Sequence, residues 1–460
     1  MASLGQVLRL GGIAGQQEEG PAQAGVDLAE EALERGPDPG LRRVDLRDRL
    51  HPHRTMNPRL ARNVRQTGLN RSVRVAIDAR PAISHGRTGV GHYARELILR
   101  LPDVDPPTRY VAWYLHARRL ALPWRWGRRF FPRRPNLAER WTPFPATWFA
   151  RLEMERELPR LEWLVRFDVL FATNFVPPPT RTRRLVLTIH DLAFRLYPET
   201  APHATRRWLE ALDRSLHQAA RIIVPSGATR EDLLAHYDVD PERVRVIPHG
   251  VDPEAFRRPP EDVVREARRR QGIDGPYLLF LGGIEPRKNL PAIVGAFRAL
   301  DGDVRLVIAG GSVPWNPEGR QLLEGALDGL PPPVRDRITL TGYLPEADKV
   351  ALLAGAEALV FPSLYEGFGF PVLEAMAAGT PVLTSEVSSL PEVAGDAAFL
   401  VDPRSEESIA EGMERLLEDA DLRARLSASG RERVRAFRWE DTARRTARVL
   451  HEAGGEGPHC

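Results

Sequence analysis

Short apolar runs alternate along the chain with longer amphipathic stretches. The first run, Val73–Ala79, is rich in β-branched and small residues, which predicts a buried strand. A glycine-rich turn is predicted over Gly86–Tyr93, with a helix after it, and a capped helix is predicted over Ser226–Tyr237. Further strands are predicted at Leu185–Ile189, Ile222–Pro225 and Val244–Pro248. Strands that alternate with helices pair in parallel, so this half of the chain is expected to form an open α/β sheet.

The same pattern starts again in the second half of the chain. Strands are predicted at Tyr277–Leu281, Val304–Ala309, Ile338–Thr341, Ala358–Pro362 and Val382–Thr384. Helices are predicted at Asn289–Leu300 and Phe370–Ala378. The stretch His249–Glu261 contains three prolines and is the predicted linker. Two doubly wound domains on one hinge form a cleft between the carboxyl ends of their sheets, where α/β proteins bind ligands.

These patterns predict four parts: a disordered segment over 1–72, a Rossmann-like domain over 73–250, a second Rossmann-like domain over 251–436, and a C-terminal helix and tail over 437–460. The first part contains no aromatic residue and has too few apolar residues for a core. Translation from Met56 is an open alternative for this end. Helical spacing over Trp439–Ala453 predicts a helix that crosses back to the first domain.

Charge and cysteine content narrow the function classes. Lys and Arg number 65 and Asp and Glu number 62, a net charge of +3 that does not indicate a nucleic-acid partner. The single cysteine, Cys460, excludes an internal disulfide, a cysteine zinc site and an iron–sulfur cluster within the chain. A reducing cytoplasm is therefore the expected compartment. The sequence has no apolar run of 18 residues and no secretory leader pattern, so no membrane-spanning helix is expected.

The strongest chemical signal is the stretch from Glu366 to Glu374. Gly367 and Gly369 let the backbone approach a ligand, and Pro371 suits the first turn of a helix. The free N–H groups and the dipole of that helix would face the cleft, where they favour a phosphate. A carboxylate can accept two hydroxyl hydrogen bonds, which suits the vicinal diols of a sugar or a ribose. In the alternative interpretation, Glu366 is a surface residue and Glu374 only interacts favourably with the helix dipole.

Seven motifs in this order resemble the retaining family 4 glycosyltransferases of GT-B architecture. They cover about residues 73–450 and occur at 88–93 (TGVGHY), 188–192 (TIHDL), 246–252 (VIPHGVD), 281–290 (LGGIEPRKNL), 340–344 (LTGYL), 366–374 (EGFGFPVLE) and 388–403 (SSLPEVAGDAAFLVDP). The resemblance implies two Rossmann-like domains that face each other across a cleft. It further implies sugar transfer from a nucleotide-diphosphate sugar to a hydroxyl acceptor with retention of configuration.

By this resemblance, Glu366 would hold donor-sugar hydroxyls and Glu374 the ribose. The backbone of Gly367, Phe368, Gly369 and Phe370 would contact the sugar. Arg287 and Lys288 would neutralise the donor diphosphate, and two cations in a water-poor cleft also stabilise the charge that grows on this leaving group. Lys288 and Lys349 are the only lysines in the sequence, so arginine-rich composition does not account for Lys288.

The remaining implied contacts lie in both domains. Gly89 and Gly91 would approach the diphosphate from the first domain, and a plain turn is the alternative. Tyr343 and Leu344 would flank the base. His190 would contact the donor sugar or the reacting centre, which makes His190, Glu366 and Lys288 the catalytic candidates. A structural histidine is the alternative for His190.

The expected enzyme needs no metal or other cofactor, since the chain has no Asp-x-Asp pair at a strand end and cations already serve the diphosphate. GDP-mannose is the favoured donor, and a glycan or lipid-linked sugar is the expected acceptor, in polysaccharide or glycoconjugate synthesis. Two alternatives remain: a GT-B nucleotide-sugar epimerase, which needs no acceptor, and a non-catalytic nucleotide-sugar binder.

The segment 109–149 contains five of the nine tryptophans, interleaved with arginine. Such stretches suit the interface of an anionic membrane. Peripheral contact with the inner membrane face is the favoured function of this segment, ahead of nucleic acid. A helix of the core with arginines on its solvent-exposed face is the structural alternative.

Overall fold

A computed structural model describes residues 73–83, 88–115, 129–143, 159–198, 203–311 and 318–455. The predicted segment 1–72, the tail 456–460 and part of the arginine- and tryptophan-rich segment lie outside the described residues. No helix within the described ranges is both long and apolar enough to cross a bilayer.

The first half of the described chain forms a sheet of seven parallel strands in the order β3-β2-β1-β4-β5-β6-β7. Its strands are β1 Arg74–Asp78, β2 Arg109–Leu115, β3 Leu137–Thr142, β4 Val169–Ala172, β5 Leu185–Thr188, β6 Arg221–Val224 and β7 Val244–Val246. Its helices are α1 Arg80–Ile83, α2 Gly89–Val104, α3 Leu161–Leu164, α4 Ala193–Leu196, α5 His203–Gln218 and α6 Gly227–His236. Two apolar clusters of buried side chains flank this sheet.

The second half forms a sheet of six parallel strands in the order β10-β9-β8-β11-β12-β13. Its strands are β8 Tyr277–Leu281, β9 Arg305–Ala309, β10 Ile338–Gly342, β11 Ala358–Phe361, β12 Val382–Ser385 and β13 Phe399–Val401. Its helices are α7 Glu261–Arg270, α8 Leu290–Arg298, α9 Glu318–Asp328, α10 Pro332–Arg335, α11 Glu346–Gly355, α12 Phe370–Ala378, α13 Leu390–Ala394, α14 Glu406–Glu418 and α15 Ala420–Arg433. The expected fold class, two doubly wound α/β domains, is confirmed.

Each sheet changes winding direction at one point. In the second sheet β8 pairs with both β9 and β11, so the loops after β8 and β11 diverge at this switch point. The loop after β8 carries Arg287 and Lys288, and the loop after β11 carries Glu366. Ligands of open α/β sheets bind where strand order reverses. The topology therefore brings together the two motifs that, by the family resemblance, would hold the donor diphosphate and the donor sugar.

The last helix, α16 Trp439–Gly454, packs on the first domain. Trp439 is fully buried in an apolar cluster with residues of β1 and β4, and Thr442 donates a hydrogen bond to the carbonyl oxygen of Pro248 at 2.8 Å. A Cβ on Gly250 would lie 2.3 Å from the backbone nitrogen of Trp439, so only glycine fits here. The chain returns to the first domain directly beside the start of the linker.

Two expectations from the sequence are wrong in part. The predicted glycine-rich turn over Gly86–Tyr93 ends earlier, because α2 begins at Gly89. Thr88 caps this helix by accepting a hydrogen bond from the N–H of Gly91 at 3.2 Å. The segment 109–149 is not a core helix: where it is described, it forms β2 and β3. The aromatic side chains of Tyr110, Trp113 and Tyr114 are buried in the sheet there rather than free for a membrane.

Candidate active site

Glu366 lies between the two cations at the switch point. Its carboxylate accepts hydrogen bonds from Arg287 Nη1 at 2.9 Å and from Lys288 Nζ. Arg287 also donates through Nε to Glu285 at 2.8 Å, and the N–H of Leu364 donates to the carbonyl oxygen of Arg287 at 2.8 Å. The two loops are thus joined by main-chain and side-chain bonds. The carboxylates of Glu285 and Glu366 balance the two cations.

Burial and pairing set the charge state of this cluster. Glu366 is 7% exposed, and burial alone would raise the pKa of its carboxyl. Arg287 and Lys288 outweigh that penalty and lower the pKa of Glu366 to about 2. Burial and the neighbouring Arg287 lower the pKa of Lys288, and its ammonium lies 4.8 Å from the ring centre of Phe361. We conclude that Glu366 is ionised at neutral pH and acts as the counter-ion of both cations.

The loop after β11 touches the first domain directly. A Cβ on Gly367 would lie 1.8 Å from the carbonyl oxygen of His190, so a side chain here would prevent the contact. The hydroxyls of Ser226 and Thr229 lie 2.8 and 3.2 Å from the carbonyl oxygen of Gly367. Next to it, Tyr365 donates its hydroxyl to Asp232 at 2.8 Å. Glu366 is therefore held in a loop that both domains position.

His190 lies at the end of β5 within an aromatic cluster. Its Nε2 is 2.9 Å from the carbonyl oxygen of Thr173. A carbonyl only accepts, so Nε2 carries the proton and Nδ1 is an acceptor in the neutral ring. Burial lowers the pKa of His190, which keeps the ring neutral at pH 7. The ring contacts Tyr93 at 5.0 Å and His249 at 5.5 Å between ring centres.

His249 links this cluster to the second domain. Its ring stacks on Phe370 at 5.2 Å with an angle of 8°, and Phe368 contacts its edge at 4.9 Å. Burial, with the nearby His190 and His92, lowers the pKa of His249 well below its usual value. A neutral histidine thus fills the space between the glycine-rich loop and the first domain.

Glu374 lies apart from the Glu366 cluster, on α12. Both of its carboxylate oxygens are 3.3 Å from Lys349 Nζ, and Lys349 also pairs with Glu346 at 2.9 Å. Burial raises the pKa of Glu374 against the opposing charge of Lys349. The two lysines of the sequence therefore pair with the two acids of the 366–374 motif, one each.

The other predicted donor residues lie in both domains. In the first domain, Gly89 lies against the ring of Phe370, where an added Cβ would be 3.2 Å away, and Gly91 packs on the backbone of Pro81. In the second domain, Leu344 is buried in the core, whereas Tyr343 beside it is 72% exposed. Gly369 precedes the first residue of α12 with a φ of +108°, and the helix begins at Phe370 as predicted. Tyr343 and Leu344, the two residues expected to flank the base, therefore differ in exposure.

Sequence reasoning missed the residues that hold these acids in place. Lys349 pairs with Glu374, and its rarity in the sequence could have pointed to it. Ser388 bonds the backbone of Glu366, and Tyr365 beside Glu366 bonds Asp232. Ser388 begins the motif at 388–403, but the motif does not indicate its contact with Glu366, because both contacts join residues that are distant in sequence. The described site thus contains one buried cation, Lys288, one partly buried cation, Arg287, two carboxylates of the 366–374 motif and two neutral histidines.

Models of two glycosyltransferase families match the chain. The group 1 glycosyl transferase model matches residues 263–433, and the glycosyltransferase family 4 model matches residues 87–255. The chain is 30% identical over 399 residues to O-antigen chain mannosyltransferase B of Escherichia coli, across 80% of this chain and 97% of that protein. It is 32% identical over 258 residues to MMP alpha-(1->4)-mannosyltransferase of Mycolicibacterium hassiacum, across 54% of this chain and 58% of that protein.

Solved structures agree on the fold. Sucrose-phosphate synthase from Thermosynechococcus elongatus has a TM-score of 0.61 at 22% identity, over 83% of this chain and 99% of that one. HepE of Anabaena in complex with UDP and glucose has a TM-score of 0.60 at 17% identity, over 82% and 99%. These similarities show that the architecture is of the GT-B type. The chain belongs to the group 1 and family 4 glycosyltransferases, in agreement with the resemblance of its seven motifs to family 4.

Proposed function

We propose that the protein transfers a sugar from a nucleotide-diphosphate donor to a hydroxyl of a glycan or lipid-linked acceptor, with retention of configuration. The observation that carries this proposal is the pairing of Glu366 with Arg287 and Lys288 at the switch point of the second sheet. In a group 1 glycosyltransferase, this cluster is suited to hold the donor diphosphate and the donor sugar side by side.

Donor binding would exchange the partners of the two cations. The diphosphate takes over Arg287 and Lys288, which frees the Glu366 carboxylate to accept hydrogen bonds from sugar hydroxyls. Exchange of one buried counter-ion for another avoids leaving the cations unpaired, which is costly in a buried site. As the glycosidic bond breaks, negative charge grows on the leaving diphosphate, and the same cations stabilise it. No metal ion is required for this step.

Retention follows from attack on the same face that the diphosphate leaves. The bond between the anomeric carbon and the diphosphate oxygen breaks, and the acceptor oxygen bonds to that carbon. The acceptor proton passes to the departing phosphate oxygen, so the products are a glycoside and a nucleoside diphosphate. No side chain is assigned as a covalent nucleophile. Neutral His190 donates through Nε2 to the Thr173 carbonyl, which leaves Nδ1 as the acceptor, and it orients the sugar.

GDP-mannose is the proposed donor. Two relatives described above are named mannosyltransferases, one of them an O-antigen chain enzyme, which supports a mannosyl donor and a role in polysaccharide synthesis. Glu374 would hold the ribose, and exposed Tyr343 offers an aromatic face to the base. Neither contact distinguishes guanine from other bases, so the donor proposal rests on the relatives.

A two-step experiment tests this function. Melting curves with GDP, UDP, ADP and dTDP identify the base, because ligand at 100-fold over its Kd adds about 2.7 kcal/mol of stability. Release of that nucleoside diphosphate is then measured from the matching sugar donor, with and without alkyl glycosides of mannose, glucose and N-acetylglucosamine. Acceptor-dependent release supports the proposal. Conversion of the nucleotide sugar without acceptor favours an epimerase, and binding without either reaction favours a binding protein.

Peripheral contact with an anionic membrane is the proposed role of the arginine- and tryptophan-rich segment. Of its seven arginines at 118–134, Arg118, Arg119, Arg125 and Arg128 lie outside the described residues. Arg129 and Arg134 form ion pairs with Glu139 and Asp103 at 2.9 and 3.0 Å. Farther along, Trp163 is 63% exposed and Arg160 lies 5.6 Å from its ring centre, which offers an amphipathic surface suited to headgroups.

Vesicle sedimentation tests the membrane contact. The wild type should bind anionic vesicles at low salt, where attraction is strongest, and Trp163→Ala should weaken this binding. Neutral vesicles are the control. A wild type that ignores anionic vesicles at low salt would reject the membrane role without affecting the proposed reaction.

A further inference from the structure

Ser388 has a backbone conformation that serine rarely adopts. Its φ is +62°, and among the described residues only Asn289 also has a positive φ without being glycine. This left-handed conformation costs free energy for residues with a Cβ, and asparagine tolerates it better than serine. Such strain persists only where the surrounding structure enforces it, and it concentrates at functional sites.

The Ser388 hydroxyl is bonded to both backbone groups of Glu366. Its Oγ accepts a hydrogen bond from the N–H of Glu366 at 3.0 Å and donates to the carbonyl oxygen of the same residue. The hydroxyl of Ser389 lies 2.8 Å from that carbonyl oxygen and 3.0 Å from the carbonyl oxygen of Phe368. The loop after β12 thus forms hydrogen bonds to both the N–H and the carbonyl oxygen of Glu366.

We propose that Ser388 is a positioning residue for Glu366, and that its strained backbone aims the hydroxyl at the Glu366 peptide groups. The assignment rests on the proposed transfer, in which Glu366 orients the donor sugar. When the diphosphate takes over Arg287 and Lys288, the side-chain bonds that hold Glu366 are lost. The bonds to Ser388 are made by the Glu366 backbone, so they still fix the position from which the side chain extends at that stage.

Two substitutions separate the hydroxyl from the backbone strain. Ser388→Gly removes the hydroxyl and relieves the strain, whereas Ser388→Ala removes the hydroxyl and keeps the strain. Both variants should lose kcat by about tenfold or more, because small misplacement of a positioned group is costly. The affinity for the nucleoside diphosphate should stay within about twofold of wild type, since Ser388 acts through Glu366 and not through the diphosphate cations. The Ala variant should melt several degrees below the Gly variant.

Ser427→Ala serves as the control, because its hydroxyl also bonds a backbone carbonyl, that of Gly379. It should turn over like wild type. A Gly variant with wild-type kcat would overturn the assignment, even if the Ala variant is impaired or does not fold. Parallel losses of kcat and nucleotide affinity would also overturn it, as they indicate general loosening. If the wild type transfers no sugar from any donor, the proposed function fails and the assignment fails with it.

Discussion

Glu366→Gln is the most informative single substitution, because it keeps the size of the side chain and removes only its charge. The carboxylate is buried and accepts hydrogen bonds from Arg287 and Lys288. In the variant these two cations keep one carboxylate nearby, that of Glu285, which forms its ion pair with Arg287. Lys288 is then a buried ammonium without its counter-ion. Both stability and turnover should therefore fall.

The pKa gives the size of the stability loss. A pKa of about 2 against the ordinary 4.5 corresponds to about 3 kcal/mol in favour of the ionised form. That agrees with the roughly 3–5 kcal/mol lost when a buried ion pair loses one partner. For a domain of the size of the second one, residues 251–436, a loss of about 3 kcal/mol should lower the melting temperature by roughly 6–12 °C at pH 7. Loss of a charge-assisted bond to the sugar should lower kcat by about 10- to 150-fold.

The pH dependence provides an internal check. Because the folded-state pKa of Glu366 is lowered, its contribution is complete above pH 4.5 and is lost as pH falls towards 2. The difference in melting temperature between wild type and Glu366→Gln should therefore be constant from pH 7 to 5 and shrink below pH 4.5. Glu254→Gln, an exposed acid whose Arg257 partner lies 4.0 Å away, should change nothing. A Glu366→Gln variant that melts like wild type at pH 7 would refute the ion-pair account.

Three further predictions concern Glu374, His249 and the metal requirement. If Glu374 holds the ribose in both ground and transition states, Glu374→Gln should raise the KM for the donor by about tenfold or more, with a smaller change in kcat. Initial rates over a range of donor concentrations measure this, and an unchanged KM would exclude the contact. Buried His249 has a pKa well below its usual value, so the wild type should lose stability as pH falls below about 6.5. Between pH 7 and 5, the melting temperature of His249→Asn should fall less than that of wild type. Equal changes of melting temperature with pH would contradict this. Transfer should persist in excess EDTA, and activity that is lost and then restored by Mn²⁺ or Mg²⁺ would contradict metal independence.

Much of the fold was accessible from the sequence because its signals are local. Apolar runs bounded by glycine mark β8, β9 and β11, and Pro371 and Gly379 mark the two ends of α12. The strands β2, β3, β4 and β13 were not predicted. The strands β2 and β3 lie in the segment 109–149, whose arginine and tryptophan content favours a membrane-facing interpretation. In β3, with the sequence LAERWT, too few apolar residues remain to mark a strand.

The site was accessible only in part, for a different physical reason. The motifs name Glu366, Arg287 and Lys288 as ligand groups, but they say nothing of what these charges do without a ligand. Pairing between them depends on two loops that a long stretch of chain separates. The same holds for Lys349 with Glu374, and for the contact between Gly367 and His190, which joins the two domains. Such contacts arise from tertiary structure and leave no periodic pattern.

Transfer by Lys288→Ala tests the central claim most directly. In the proposed mechanism the Lys288 charge acts chiefly on the departing diphosphate. The purified variant should therefore release nucleoside diphosphate in the presence of acceptor at least about tenfold more slowly than wild type. Its folding is checked by circular dichroism. If a folded Lys288→Ala variant releases nucleoside diphosphate at the wild-type rate, the claim that this cleft is the catalytic site is contradicted.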